Sequence, residues 1–234
     1  MPRECSSGRS ELCALRWARR IALILVIGGC AIAAPHPPPQ VDLPTLPAAL
    51  PTGVTLDAKT YTYRIVGTDR RSVTASLRAG SLVDGVQRFS GYHHWNVRWH
   101  WHGRKTATQC VMDSVSVVIA SQIVLPAWDP LPGVDAELQA QWRTYSAALA
   151  THERGHRSVT TLGAIRMQEG LMQLSAPQCD QLAKKFDEEA HRYAARIQAD
   201  NDRYDAETNH GTTQGARWPP APMRLPHRPP NGHS

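Results

Sequence analysis

The most regular hydrophobic pattern in this 234-residue chain is an alternation over residues 93–102. Odd positions from 95 to 101 carry tryptophan and valine, and the even positions carry histidine, asparagine and arginine. This period of two predicts a β-strand with one apolar and one polar face. Residues 60–66 and 111–125 are rich in β-branched and aromatic side chains and predict two further strands. Residues 72–80 are compatible with either a strand or a short helix.

The period becomes helical after Asp135, which is the predicted N-cap of a long helix. Apolar residues and two histidines then recur every three or four positions, which places them on one face of that helix. The stripe consists of Leu138, Trp142, Tyr145, Leu149, His152, His156 and Val159. Gly163 and Gly170 predict a break or bend, and a second helix follows over about 178–206. The predicted fold is α+β, with a small, mostly antiparallel sheet followed by a helical half.

Proline is concentrated at the two ends of the chain, at 35–51 and 219–230, and this distribution predicts the domain limits. Residues 1–34 are predicted to be an export signal, because arginines precede a short apolar run and small residues follow it. An uncleaved N-terminal membrane anchor is the alternative. The predicted divisions after the signal are a proline-rich linker over 35–53, a folded domain over 54–216 and a disordered tail over 217–234.

Two cleavage sites compete within the predicted signal. One follows the small residues 31–34, and the other is the lipobox-like Ile27-Gly28-Gly29-Cys30, after which Cys30 would carry a lipid. The proline-rich linker would then be an extended tether. In either case the protein is predicted to be exported to the periplasm or cell envelope. We expect membrane contact only through this lipid or through an uncleaved anchor.

Charge and cysteine content narrow the choice of partners and compartment. The formal net charge is +6, of which residues 1–30 carry +3 through five arginines and two glutamates. The exported part has only a mild positive charge and no long basic run, so we expect no nucleic-acid partner. The two cysteines after the signal, Cys110 and Cys179, are a natural disulfide pair in an oxidising compartment. Two free buried thiols are the alternative.

The segment His152-Glu153-Arg154-Gly155-His156 places two histidines on the inner face of the long helix. Residues four apart lie one turn apart and about 40° apart around the axis, so both imidazoles can bind one zinc ion. Glu153 is rotated by about 100° and is predicted to be the general base on a water that the zinc activates. The alternative is a pair of hydrogen-bonded core histidines beside a surface glutamate.

A catalytic zinc site requires a third protein ligand and an open fourth position. The metzincin extension is absent, because Arg157-Ser158-Val159 follows the second histidine. Glu188 and Glu189 in the second helix are candidates, but the lysines near them favour a solvated face. His210 is the preferred ligand, since it lies in a loop after the second helix and beside a glycine. Asp205 is a candidate acceptor that orients a ligand histidine.

Motifs spread over residues 60–216 recur as a set in a known family. They are Gly91-Tyr92, Trp95, Trp99, Cys110, Leu125-Pro126, the 152–156 segment, Cys179, Tyr204 to Gly211 and Gln214-Gly215-Ala216. With them the chain resembles the bacterial predicted secreted zinc-dependent proteases, catalogued mainly as a domain of unknown function. The resemblance implies peptidase-like activity and a place for His210 in the site. A zincin-like fold around the HExxH helix is the corresponding expectation.

The resulting hypothesis is an exported zinc-dependent metallopeptidase of the HExxH type that acts on a peptide or protein substrate. One alternative is a non-enzymatic envelope binding or scaffold module that retains a structural zinc. Another is an amidase acting on cell-wall peptides. Glu153 discriminates between the first two, because a structural site does not need it. Tyr204 is predicted to pack between helices rather than to donate a hydrogen bond to an oxyanion.

Overall fold

A mixed β-sheet and two long helices make up most of the computed structural model, which describes residues 45–220. The predicted export signal, Cys30, most of the predicted linker and residues 221–234 lie outside the described residues. The elements are β1 (Val54–Ile65), α1 (Arg70–Gly80), β2 (Leu82–Asp84), β3 (Gln87–Phe89), β4 (Tyr92–Lys105), β5 (Cys110–Trp128), α2 (Ala136–Met172), β6 (Ser175–Ala176) and α3 (Cys179–Thr208). The predicted α+β class is confirmed.

The longest strand, β5, lies at the centre of the main sheet, whose order is β1-β5-β4. It pairs antiparallel with β4 and parallel with β1, and the short β6 adds a second antiparallel partner at its beginning. A separate antiparallel hairpin is formed by β2 and β3. The alternation predicted over 93–102 therefore lies within an edge strand, whose tryptophans pack against the core beneath the helices.

The ambiguous segment over residues 72–80 is helical. Asp69 caps α1 through a capping box, in which its side chain accepts from the backbone of Ser72 and the Ser72 hydroxyl accepts in return from the backbone of Asp69. This reciprocal cap satisfies amide donors that have no partner within the helix, and it favours a helix over a strand at this point. Val73 and Leu77, one turn apart, are buried.

The long helix α2 begins as predicted, with Asp135 as the N-cap that accepts from the backbone of Leu138. The predicted break at Gly163 and Gly170 is wrong, because α2 continues without interruption to Met172. Both glycines instead allow α3 to approach α2 closely. A Cβ at Gly163 would lie 2.5 Å from Ile197 Cγ1, and one at Gly170 would collide with the Tyr193 hydroxyl.

A disulfide between Cys110 and Cys179 ties the start of β5 to the start of α3. The bond is compatible with export, because disulfides persist in oxidising compartments. At the other end of the domain, Trp218 packs on Trp142 and Tyr145 and donates from its indole to the Thr74 hydroxyl. Packed side chains therefore extend past residue 216. Within residues 45–220, no helix combines the length and apolar character that a membrane span requires.

Candidate metal centre

The candidate site lies where α2 crosses the C-terminal end of α3. From α2, His152, Glu153 and His156 are all buried, at 4%, 3% and 8% exposure, whereas Arg154 faces solvent. This separation follows from the stripe, because residues 152 and 156 share the inner face and residue 154 points away from it. From α3, Asp205 enters the same space and its side chain is a quarter exposed.

One carboxylate oxygen, Oδ1 of Asp205, is the point on which the histidines converge. It lies 3.2 Å from His152 Nε2 and 3.1 Å from His156 Nε2. The potential ligand atoms of these three residues all lie within 4.8 Å of one another, and they form the metal-capable group found among residues 45–220. Ligand atoms around a tetrahedral zinc ion are about 3.3 Å apart, given bonds of about 2.0 to 2.1 Å. The spacing around Asp205 therefore suits such an ion.

The hydrogen-bond partner Asn201 shows which ring nitrogen of His156 carries a proton. The Asn201 amide nitrogen donates to the Ile197 carbonyl at 2.9 Å and to the Thr160 hydroxyl at 3.1 Å. A carbonyl can only accept, so the amide oxygen must be the atom that faces His156 Nδ1, at 2.9 Å. This oxygen can only accept in turn, so Nδ1 carries a proton and the neutral ring presents its lone pair at Nε2.

His152 is held in a similar way from the opposite side of the site. Its Nδ1 lies 3.1 Å from Gln214 Oε1 and 3.5 Å from the Thr208 hydroxyl. The Gln214 amide nitrogen donates to the Tyr204 hydroxyl at 3.0 Å, and the amide oxygen faces His152 and accepts more weakly from the same hydroxyl at 3.4 Å. His152 Nε2 therefore also faces Asp205 with a lone pair when the ring is neutral.

Two imidazole lone pairs that face one carboxylate oxygen repel each other unless a cation lies among them. Protons on the imidazoles or a single metal ion would both satisfy this requirement. Neutral imidazole nitrogen and carboxylate oxygen are ligands that zinc accepts, and ligand histidines usually donate from their other nitrogen, as these two do. The residues therefore fit a divalent metal. In the metal-free protein, burial alone would raise the pKa of Asp205, but hydrogen bonds from His152 and His156, donated when their Nε2 atoms carry protons, hold it well below its usual range.

Tyr204 and Gly211 hold the two imidazoles in place. The Tyr204 ring stacks on His152 at 5.2 Å between centroids and meets His156 edge-on at 4.9 Å. Its hydroxyl accepts a hydrogen bond from the Gln214 amide, and its ring packs between α3 and the two histidines of α2. Gly211 adopts a φ of +78°, and a Cβ there would lie 2.8 Å from His152 Cγ. The loop after α3 therefore packs directly on the His152 ring.

Glu153 is the buried acid of the site. Burial raises its pKa to about 7, His156 lowers it and the Asp205 carboxylate raises it. Gly91, just before β4, leaves room for it, because a Cβ at that position would lie 3.1 Å from Glu153 Oε1. A carboxylate whose pKa is close to neutrality is suited to accept and return a proton. The buried position of Glu153 differs from the alternative given for this segment, which was a pair of hydrogen-bonded core histidines beside a surface glutamate.

The third predicted ligand, His210, lies next to the cluster but outside the metal-capable group. Its Nδ1 is 3.3 Å from Asp205 Oδ1, and its side chain is 40% exposed. His210 and Asn209 both adopt left-handed backbone conformations, with φ of 51° and 48°. Asn209 is the C-cap of α3, where a left-handed residue commonly ends a helix, and His210 continues the turn that brings its ring beside Asp205. The other candidates lie elsewhere, since Glu188 is exposed and Glu189 pairs with Arg192.

A cleft of about 630 Å³ gives access to this cluster. Glu153 and both histidines line it from α2, Asp205 lines it from α3, and His210 lines it from the loop. Other walls come from the first residues of β4, the β2–β3 hairpin, further residues of α2 and α3, and the segment after α3. The volume lies within the range of small-molecule and cofactor sites.

Sequence reasoning missed several residues of this site. Asp205 was expected to orient a ligand histidine, but its oxygen lies on the Nε2 side of both rings, where a ligand would be. Asn201 and Gln214, which hold the Nδ1 atoms, had no predicted role. A weak signal existed, because Asn201, Asp205 and Thr208 follow one another at helical spacing on the side of α3 that faces α2.

The fold and site together define an α+β protein with a His-His-Asp cluster, its histidines buried and its carboxylate partly exposed, that is suited to a metal ion. A family model described as a bacterial protein of unknown function (DUF922) matches residues 60–211, well over half of the chain. The chain belongs to this family. Neither a curated protein nor a solved structure shows a significant match. The shared family therefore supports the extent of the domain and leaves its activity to be argued from the site.

Proposed function

We propose that this protein is an exported zinc-dependent metallopeptidase of the HExxH type, acting on a peptide or protein in the periplasm or cell envelope. The observation that carries the proposal is the set of buried, pre-oriented imidazoles that face Asp205 beside the buried Glu153. The cleft that reaches these groups is the place for a substrate. The disulfide supports an oxidising location.

His152 and His156 would hold the ion, with Asp205 or His210 as the third ligand. When bound, a zinc ion acidifies water and polarises a carbonyl group. Glu153 is assigned the proton transfers, taking a proton from the attacking water and delivering it to the departing amine. Its raised pKa near neutrality suits both directions of transfer. Asn201 and Gln214 keep the imidazoles in the tautomer that presents Nε2 to the site.

A structural metal site is the second candidate, and one observation favours it. Asp205 Oδ1 lies within 3.3 Å of nitrogens from three histidines. If all four residues bound one ion, its coordination would be complete, as in structural zinc sites that leave no position for substrate. The burial of Glu153 beside the cluster favours catalysis instead, because a structural site does not need a buried acid.

The experiment measures zinc content and peptide hydrolysis for the full chain and its variants. Glu153→Gln should keep its zinc and lose activity by at least about a hundredfold, since general acid–base catalysis contributes about 10² to 10⁴. Glu169→Gln, on the exposed side of the same helix, is the matched control and should change neither. Activity that persists in Glu153→Gln would contradict the mechanism.

The ligand set is tested separately by zinc affinity. His152→Ala with His156→Ala should abolish zinc binding, and Asp205→Asn should weaken it more than His210→Ala, because Asp205 contacts both helix histidines. His100→Ala, exposed on β4, is the control. Full zinc occupancy in the double variant would contradict the metal centre itself.

A further inference from the structure

The short β2–β3 hairpin carries an unusually large share of the exposed apolar side chains of the described residues. Leu82, Val83 and Val86 are 45%, 52% and 102% exposed, and they account for half of the large apolar side chains exposed within residues 45–220. Strands of three residues form a hairpin that is at best marginally stable by itself. An exposed apolar cluster on such an element is typical of a binding surface.

The two faces of this hairpin differ in what they border. Leu82 pairs with Phe89 across the hairpin, and both side chains line the cleft. Val83 and Val86 do not line it. Phe89 also meets the His210 ring edge-on, at 5.8 Å between centroids. Leu82 and Phe89, here called the hairpin patch, are thus an apolar surface on the cleft wall next to the metal-capable cluster.

The edge strand β4 runs past another side of the same cleft. Its first residues, Tyr92 to Trp95, line the cleft, and β4 pairs only with β5 in the described sheet. Its outer backbone edge therefore has no strand partner among residues 45–220. An extended peptide can satisfy such an edge by strand addition, while its side chains enter pockets on either side. The start of this edge strand and the apolar hairpin patch thus border the same cleft.

We infer that the hairpin patch is a specificity pocket, and that it receives an apolar side chain of an extended peptide bound in the cleft. This inference rests on the proposed function, since it names the substrate class of the same site. Asp84 and Arg88 also line the cleft and are exposed beside the patch. Contact with Leu82 and Phe89 removes a nonpolar side chain of the peptide from water. Asp84 and Arg88, next to the patch, remain solvated.

The test uses full-chain protein carrying Glu153→Gln, loaded with zinc, so that peptides bind without being cut. The probes are two fluorescein-labelled alanine-rich peptides that differ only at a central leucine or serine. Binding is measured by fluorescence anisotropy. The leucine peptide should bind about tenfold more tightly, the effect expected of a modest hydrophobic pocket. Leu82→Ser should remove most of that preference.

Val86→Ser is the matched control, because it removes an apolar, fully exposed side chain from the same hairpin outside the cleft. It should leave the preference unchanged, and thermal unfolding should show that both variants are folded. Equal binding of the two peptides, a preference that survives Leu82→Ser, or an equal loss in Val86→Ser would each overturn the inference.

The outcome is distinguishable from a failure of the proposed function. If the chain with Glu153 intact hydrolyses peptides but the preference ignores Leu82, only the specificity pocket is wrong. If no zinc is bound and no peptide is hydrolysed while the Leu82-dependent preference remains, the patch is a peptide-binding site and the peptidase proposal is wrong.

Discussion

Replacement of Asn201 by leucine tests the reasoning about the histidine tautomers most directly. Asn201 is 5% exposed and accepts from His156 Nδ1 while donating to the Ile197 carbonyl and the Thr160 hydroxyl. Leucine has a similar size but cannot accept, so the Nδ1–H of His156 loses its partner. The ring is then no longer held with Nε2 towards Asp205.

Two magnitudes follow from this change. Loss of a hydrogen-bonded partner of a ligand histidine lowers metal affinity by about 10- to 100-fold. A buried donor left without a partner destabilises the fold by about 1 to 3 kcal/mol. For a domain of this size, that corresponds to a fall in Tm of about 2 to 12 °C. The metal-free Asn201→Leu chain should therefore remain folded, and it should bind zinc more weakly.

The assay is a zinc titration in competition with a chromophoric chelator, accompanied by thermal unfolding in the presence of a chelator. Asn201→Asp is the matched variant, because it keeps an oxygen for the Nδ1–H of His156 while it replaces the amide donor by a charged carboxylate oxygen. Its zinc affinity should stay close to that of the wild type. Wild-type affinity in a folded Asn201→Leu chain would refute the reasoning, and so would an equal loss in Asn201→Asp.

Three further predictions concern stability. Replacing Cys110 and Cys179 by serine opens a loop with a sequence separation of 69 residues, and the free energy of unfolding should fall by about 4 kcal/mol in the chain-entropy model, as measured by denaturant titration. Gly163→Val should destabilise the fold by about 1 to 3 kcal/mol by separating α2 from α3, while Ala199→Val on the exposed side of α3 should have little effect in the same titration. Burial raises the pKa of Glu153 from 4.5 to about 7, so the folded metal-free state binds this proton more tightly than the unfolded state. The free energy of unfolding should therefore fall between those pH values relative to Glu153→Gln, and an identical pH dependence in the two proteins would contradict the buried carboxylate.

Much of the helix α2 was predictable because its features are local. The three- and four-residue spacing placed His152 and His156 on the buried side, and Asp135 marked the N-cap. The prediction of a break at the glycines was wrong because it too used only local information. Helix propensity counts Gly163 as a residue that destabilises its own helix and takes no account of the neighbouring helix. In the fold it is the point where Ile197 of the neighbouring helix makes contact.

The sequence by itself determined the angular position of each side chain around its own element and the alternation of β4, and it favoured the pairing of Cys110 with Cys179 that the structure contains. Only the tertiary structure decided that Asp205, 49 residues beyond His156, faces both imidazoles and that Asn201 and Gln214 hold their protons. The physical reason is that periodicity specifies a face, whereas the meeting of two faces depends on how closely the helices pack and where they cross. That crossing is set by small residues and loop conformations whose effect appears only once the chain is folded.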